Sequence, residues 1–175
     1  MWDIRAETPG DAAAVEALVE ECFGPGRYAK SAYRLRDGVG PVAALSFVAI
    51  EDGTLRGSVR FWPVVVGGEK TLLLGPLAVQ SAERGRGMGI ALMERGIAQA
   101  RQLGYACIIL VGDEPYYARV GFSRLPPRRI SFPGPVDPSR VLGLSLVQGA
   151  ALTLSGLVRR AALDAPHCAD GAPLG

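Results

Sequence analysis

The segment LLLGPLAVQSAERGRGMGIALMERGIAQARQLGYACIILVGD, residues 72–113, constrains the fold more tightly than any other part of the chain. An apolar run breaks at Gly75-Pro76 and resumes as Leu77-Ala78-Val79. A loop then alternates Gly85, Gly87 and Gly89 with Arg86 and Met88, and a long helical pattern follows. Gly89, Leu92, Met93, Gly96, Ile97, Ala100 and Leu103 share one helical face, and Gly104 is its stop signal. Residues 106–111 are then almost continuously apolar, as in a strand covered on both faces. The predicted unit is strand, glycine loop, helix, strand. Such a loop accepts anions, because a helix N-terminus exposes unpaired N–H groups and glycine lets a ligand approach the backbone closely.

The register of the glycines selects among phosphate ligands. A dinucleotide fingerprint needs GxGxxG, and counting from Gly85 and Gly87 the third position is Ile90. A P-loop needs Gly-Lys followed by Ser or Thr, which the chain lacks. Gly75-Pro76 is the second clue. Proline offers no N–H to a ladder, so the strand is expected to bulge there and splay from its parallel neighbour, opening a slot beside Leu77.

The flanking pattern supports one domain. Residues 2–6 read as a strand, and Thr8, Pro9 and Asp11 as the N-cap, N1 and N3 of a helix burying Val15, Leu18, Val19 and Cys22. Residues 28–36 suggest a second, basic helix. Residues 45–50 and 55–66 form a predicted hairpin about Glu51-Asp52-Gly53, with Pro63 at a bulge or edge, and Gly67-Gly68 turns the chain into residues 71–79. DEPYYARVGF suggests a short helix from Pro115 to Gly121. Residues 129–132 and 141–147 are candidate strands, residues 152–163 are helix or strand, and the end of the chain reads as a frayed tail.

Taken in order, PLAV, the loop RGRGMG, ARQLGY, IILVGD and YYARVGF resemble the GNAT superfamily of N-acetyltransferases. Arg84-Gly85-Arg86-Gly87-Met88-Gly89 is similar to that family's Arg/Gln-x-x-Gly-x-Gly/Ala pyrophosphate loop, and Tyr117 to Phe122 to its Tyr-x-x-x-Gly-Phe segment. The likeness covers roughly residues 1–150, taken as the acetyltransferase domain, and leaves residues 151–175 as an extension of uncertain structure. It implies an α/β fold with a mixed, mostly antiparallel sheet splayed at a central parallel strand pair and flanked by helices. It also implies that Leu77, Ala78 and Val79 offer backbone groups to a pantetheine arm, while Arg84, Gly85, Arg86, Gly87, Met88, Gly89 and Ile90 surround the pyrophosphate of acetyl-CoA.

The implied reaction moves an acetyl group from acetyl-CoA, as co-substrate, to a primary amine by direct attack. The amine must lose a proton first, and the N–H of Leu77 or Val79 is the candidate donor to the oxyanion. Tyr117, four residues before Gly121, matches the family's acid tyrosine; a phenol with a reference pKa of ~10 keeps a proton to offer the leaving sulfur. Tyr116 is expected to line the site or pack. Asp113 and Glu114 read as helix N-terminal charges, and Glu51, Asp52 and Glu69 as turn residues, so no general base is assigned. The alternatives are a non-catalytic binder of coenzyme A with the same fold and a thioesterase-like enzyme.

Composition narrows the partners. A net charge of +2 does not call for nucleic acid. The opening MWDIRAETPGD has no basic n-region or apolar h-region, and no apolar run is long enough for a bilayer. Cys22, Cys107 and Cys168 form neither a disulfide framework nor a zinc set, and the single histidine, His167, lies in the tail beside Cys168. A cytoplasmic enzyme without metal, monomeric or homodimeric, is expected, with a small-molecule or peptide amine as acceptor.

Overall fold

The hairpin signal at Asp52-Gly53 is realised with both residues at positive φ, 52° and 72°, which suits the twist of a two-residue turn. The turn joins β2 (Phe47–Glu51) to β3 (Thr54–Val66), and Gly67-Gly68 leads on to β4 (Glu69–Val79). The computed structural model describes residues 1–24, 35–36 and 39–161. Of the basic helix predicted over residues 28–36, only Leu35 and Arg36 are described, and His167 and Cys168 also lie outside.

β1 (Asp3–Ala6) is followed by a 3-10 turn at Pro9–Asp11 and then by α1 (Ala12–Phe23). The Asp11 carboxylate accepts the Thr8 N–H at 2.7 Å, so the predicted start signal works through this first turn. α2 (Met88–Gln102) follows the glycine loop, and β5 (Cys107–Val111) follows α2. The chain continues through α3 (Glu114–Tyr117), β6 (Ser123–Arg124), β7 (Ile130–Ser131) and β8 (Val141–Ser145). Of residues 152–163, those described up to 161 take both predicted forms in turn, within α4 (Ala150–Thr153) and β9 (Gly156–Arg160).

The strand order is β1-β2-β3-β4-β5-β8-β6, antiparallel except for β4 beside β5. β9 pairs with the far end of β3 and, in parallel, with β7. Val158 and Leu154 are buried with Trp62 and Leu73, so packing continues across residue 150. Pro63 sits on β3 between Val59, paired to β2, and Val64, paired to β9. No strand pairs with that interval on this flank, where the Val42 N–H donates to the Phe61 carbonyl, which fits a residue without an N–H at position 63.

Two layers cover the sheet. α2 lays Met88, Leu92, Met93, Ile97 and Ala100 against Phe47, Val59, Phe61, Leu72, Ile108 and Leu110. The helix approaches closely because Gly96 has no side chain; a Cβ there would lie 2.3 Å from the Phe61 ring. The opposite face packs Val15, Leu18 and Val19 of α1 on Val48 and Ala78. Farther along that face, Trp62, Val64, Leu73, Ile109 and Val141 meet Leu154 and Val158.

Candidate functional site

The register of β3 against β4 localises the break in the strand. Phe61 is opposite Leu74 and Val59 is opposite Leu77, so Arg60 alone faces both Gly75 and Pro76. One extra residue reverses the parity of everything beyond it. Leu72 and Leu74 face the α2 layer, and without the bulge Leu77 and Val79 would face α1. Instead they pack with the α2 layer, and Ala78 is buried against α1. β4 meets its parallel neighbour only at Leu72↔Ile108 and Leu73↔Ile109. The expected splay is therefore present, and it begins where the bulge begins.

The bulge also decides which backbone groups face the slot. The Gln80 N–H donates to the Arg56 carbonyl across the β3–β4 ladder at 2.8 Å. Alternate residues of an antiparallel strand direct their hydrogen-bonding groups to opposite sides. Gln80 and Ala78 thus address β3, while Leu77 and Val79 direct N–H and C=O to the side that β5 has left. The Val79 carbonyl shows this directly, taking the Arg84 Nε–H at 3.3 Å and the Cys22 thiol at 3.5 Å. Of the three residues expected to lend backbone groups, two face the slot, and Ala78 spends its groups on β3.

At the far end of the slot lies the glycine loop. Gly85 and Gly87 have φ of 84° and 87°, and Gly87 caps α2, which starts at Met88. The first intrahelical bond is the Ala91 N–H to the Gly87 carbonyl. Among the described residues, no protein acceptor takes the N–H groups of residues 85–90. This cradle of unsatisfied donors at a helix start suits a pyrophosphate. Leu77 and Val79 reach it, since a Cβ on Gly89 would lie 3.4 and 3.6 Å from their side chains.

The Arg86 side chain follows a different course from its backbone. Its guanidinium pairs with Glu83 and, at 3.3 Å, with both oxygens of Glu51, and it lies 5.0 Å from the centre of the Trp2 ring. The Met1 ammonium stands 3.0 Å from the same Glu51. Arg86 holds the Glu51 carboxyl below its usual range.

α3 brings the two tyrosines to the opposite wall. The Tyr116 hydroxyl fills the space above Gly89, where a Cβ would stand 2.3 Å from it. Tyr117 packs edge-on to Tyr116 at 5.1 Å and to Phe122 at 6.2 Å, and its ring occupies the space above Gly112 at the end of β5. Burial pushes the Tyr117 phenol up to about 12, with the charges of Tyr116 and Asp113 adding to it. Its hydroxyl has no hydrogen-bond partner among the described residues. Asp113 pairs with Arg140, while the Glu114 carboxylate accepts the Arg124 N–H at 3.1 Å. These carboxylates tie the start of α3 to the 3-10 turn before β8 and to β6, in line with their reading as helix N-terminal charges.

Trp62 is the residue that sequence reasoning missed. Its buried indole N–H donates to the Gly75 carbonyl at 2.6 Å, immediately before the bulge. Arg36 lies over the same indole, 5.6 Å from its centre. Neither contact has a periodic signal, because both cross between elements. Among the described residues no cluster of His, Cys, Asp or Glu converges as metal ligands, and no helix is long and apolar enough to cross a membrane.

Comparison with known proteins agrees with this geometry. Residues 12–122 match the model of the acetyltransferase (GNAT) family. The uncharacterized N-acetyltransferase YhbS of Escherichia coli K12 is 38% identical over 123 residues, covering 68% of this chain and 72% of YhbS. The crystal structure of E. coli YhbS in complex with CoA superposes with a TM-score of 0.75 at 32% identity, over 91% of this chain and 89% of that one. A GNAT family acetyltransferase from Brucella melitensis, in complex with acetyl-CoA, gives 0.70 at 30% identity over 93% and 97%.

Proposed function

Since the chain belongs to the acetyltransferase (GNAT) family, we propose that it transfers the acetyl group of acetyl-CoA to a primary amine within a ternary complex. The observation that carries this reading is a pair of unpartnered backbone edges: that of Leu77, on the flank of β4 that β5 leaves unpaired, and the open N–H groups of residues 85–90 at the start of α2. An extended pantetheine arm adds to β4 as a further strand would, and its pyrophosphate meets the start of α2.

The attacking amine must be neutral, and its nitrogen forms the C–N bond as the carbonyl oxygen takes negative charge. The Leu77 N–H, fixed beside the bulge, donates to that oxyanion, with Val79 the next such group along β4. Collapse breaks the C–S bond. A phenol at about 12 holds its proton more tightly than a thiol of reference pKa ~8.5, so Tyr117 acts by donating a hydrogen bond to the departing sulfur. The proton lost by the amine nitrogen balances the thiolate that leaves.

Tyr117→Phe tests the assignment. Release of free thiol from acetyl-CoA is followed with a panel of primary amines, together with calorimetric binding of CoA. The variant is expected to lose about 10²-fold in kcat, as on removal of one preorganised hydrogen-bond donor to a developing negative charge, with CoA affinity unchanged. Unaltered turnover at saturating substrate refutes the role of Tyr117. Thiol release independent of amine makes the wild-type protein a hydrolase, and tight CoA binding without release makes it a sensor.

A further inference from the structure

We propose that the side chain of Arg86 serves the cofactor loop without touching the phosphates: it is a positioning group that neutralises Glu83 and ties the loop to the β2–β3 turn. The inference rests on the cofactor reading above. The loop carries cations at 84 and 86, and a direct role in gripping pyrophosphate is the simple expectation for both. The contacts show otherwise for Arg86. Its guanidinium meets a carboxylate on each of two elements and covers the Trp2 ring.

Glu83 makes this arrangement necessary. It ends the 3-10 turn of Ser81–Glu83, two residues before Gly85, and its side chain is only 11% exposed. An unscreened carboxylate there would face the anion that the N–H groups of residues 85–90 are placed to receive. Glu51, 13% exposed, closes the triad from the hairpin turn. Arg84 does not share the task, because its Nε–H is directed at the Val79 carbonyl. The free backbone donors hold the pyrophosphate, and the charge of Arg86 is used to cancel a local anion.

Two roles for Arg86 predict opposite results in a charge cycle. Calorimetry with CoA is run on the wild type, R86Q, E83Q and the double variant E83Q/R86Q, with melting temperatures recorded for each. R86Q is expected to bind CoA about 30-fold more weakly, as an uncancelled charge near the phosphates implies at an effective dielectric of about 20. Removing the carboxylate as well restores affinity to within about threefold of E83Q, because the repulsion has gone. The loss of kcat/KM in R86Q is expected to be at least about tenfold smaller with S-acetylpantetheine, which has no phosphate, than with acetyl-CoA. A double variant as weak as R86Q overturns the proposal, since it makes Arg86 a direct phosphate ligand. Equal loss with S-acetylpantetheine also overturns it, because the damage then lies outside phosphate binding. Wild-type protein that does not bind CoA refutes the cofactor reading itself, a result distinct from either.

Discussion

Trp62→Phe probes the support of the bulge. The indole is 8% exposed, and its N–H donates to the Gly75 carbonyl at 2.6 Å. Phenylalanine keeps an aromatic ring but removes that donor. Leaving a buried carbonyl short of a donor costs about 1–3 kcal/mol, and the space left by the smaller ring adds about 1 kcal/mol. A total of about 2–4 kcal/mol lowers the melting temperature of a chain this size by roughly 5–15 °C. The site responds as well, because Gly75 leads into the residue whose N–H is proposed to meet the oxyanion. Expected kinetics are a fall in kcat larger than any change in CoA affinity, since the glycine loop lies at the other end of the slot. Differential scanning fluorimetry and urea unfolding measure the first effect, and steady-state thiol release measures the second. Site-specific replacement of Trp62 by its benzothiophene analogue, which keeps the shape and lacks the N–H, separates the hydrogen bond from the cavity. A Trp62→Phe melting point within 2 °C or so of wild type would show that the bulge does not depend on this contact.

Gly96→Ala puts a methyl group where 2.3 Å separates the built Cβ from the Phe61 ring, and should destabilise the fold by about 1–3 kcal/mol. Adding Phe61→Leu should recover part of that loss, and additive costs in chemical denaturation would refute the packing argument. Alkaline pH should weaken the protein through Tyr117, whose phenol is raised from 10.0 to about 12 in the folded chain. The unfolded chain ionises first, so stability is intact below about pH 10 and falls by roughly 2–3 kcal/mol as the pH rises towards 12. Tyr105 and Tyr116 are also raised by burial, so the measurement is the difference between wild type and Tyr117→Phe. Parallel pH profiles for the two proteins would count against it.

The sequence by itself determined the strand–loop–helix–strand unit of residues 72–111, with its anion loop and the break in β4. Glycine and proline act through their own backbones, so Gly75-Pro76, Gly87 and the Asp52-Gly53 turn could be read where they stand. Helix faces were legible for a similar reason, since a period of 3.6 is a property of adjacent residues. Tertiary structure decided which groups the break exposes. The parity change that turns Leu77 and Val79 towards the slot and Ala78 away depends on the pairing of Arg60 across β3. Trp62 and Gly75 are 13 residues apart, and Glu51 and Arg86 are 35 apart; no local pattern encodes such contacts. The fate of Arg86 shows the limit most clearly. Its position in the loop called only for its backbone and left its charge without a task, and only the assembled β2–β3 turn and the 3-10 turn reveal two carboxylates that claim that charge. Side-chain electrostatics depend on neighbours brought together by folding, whereas backbone conformation is largely written residue by residue.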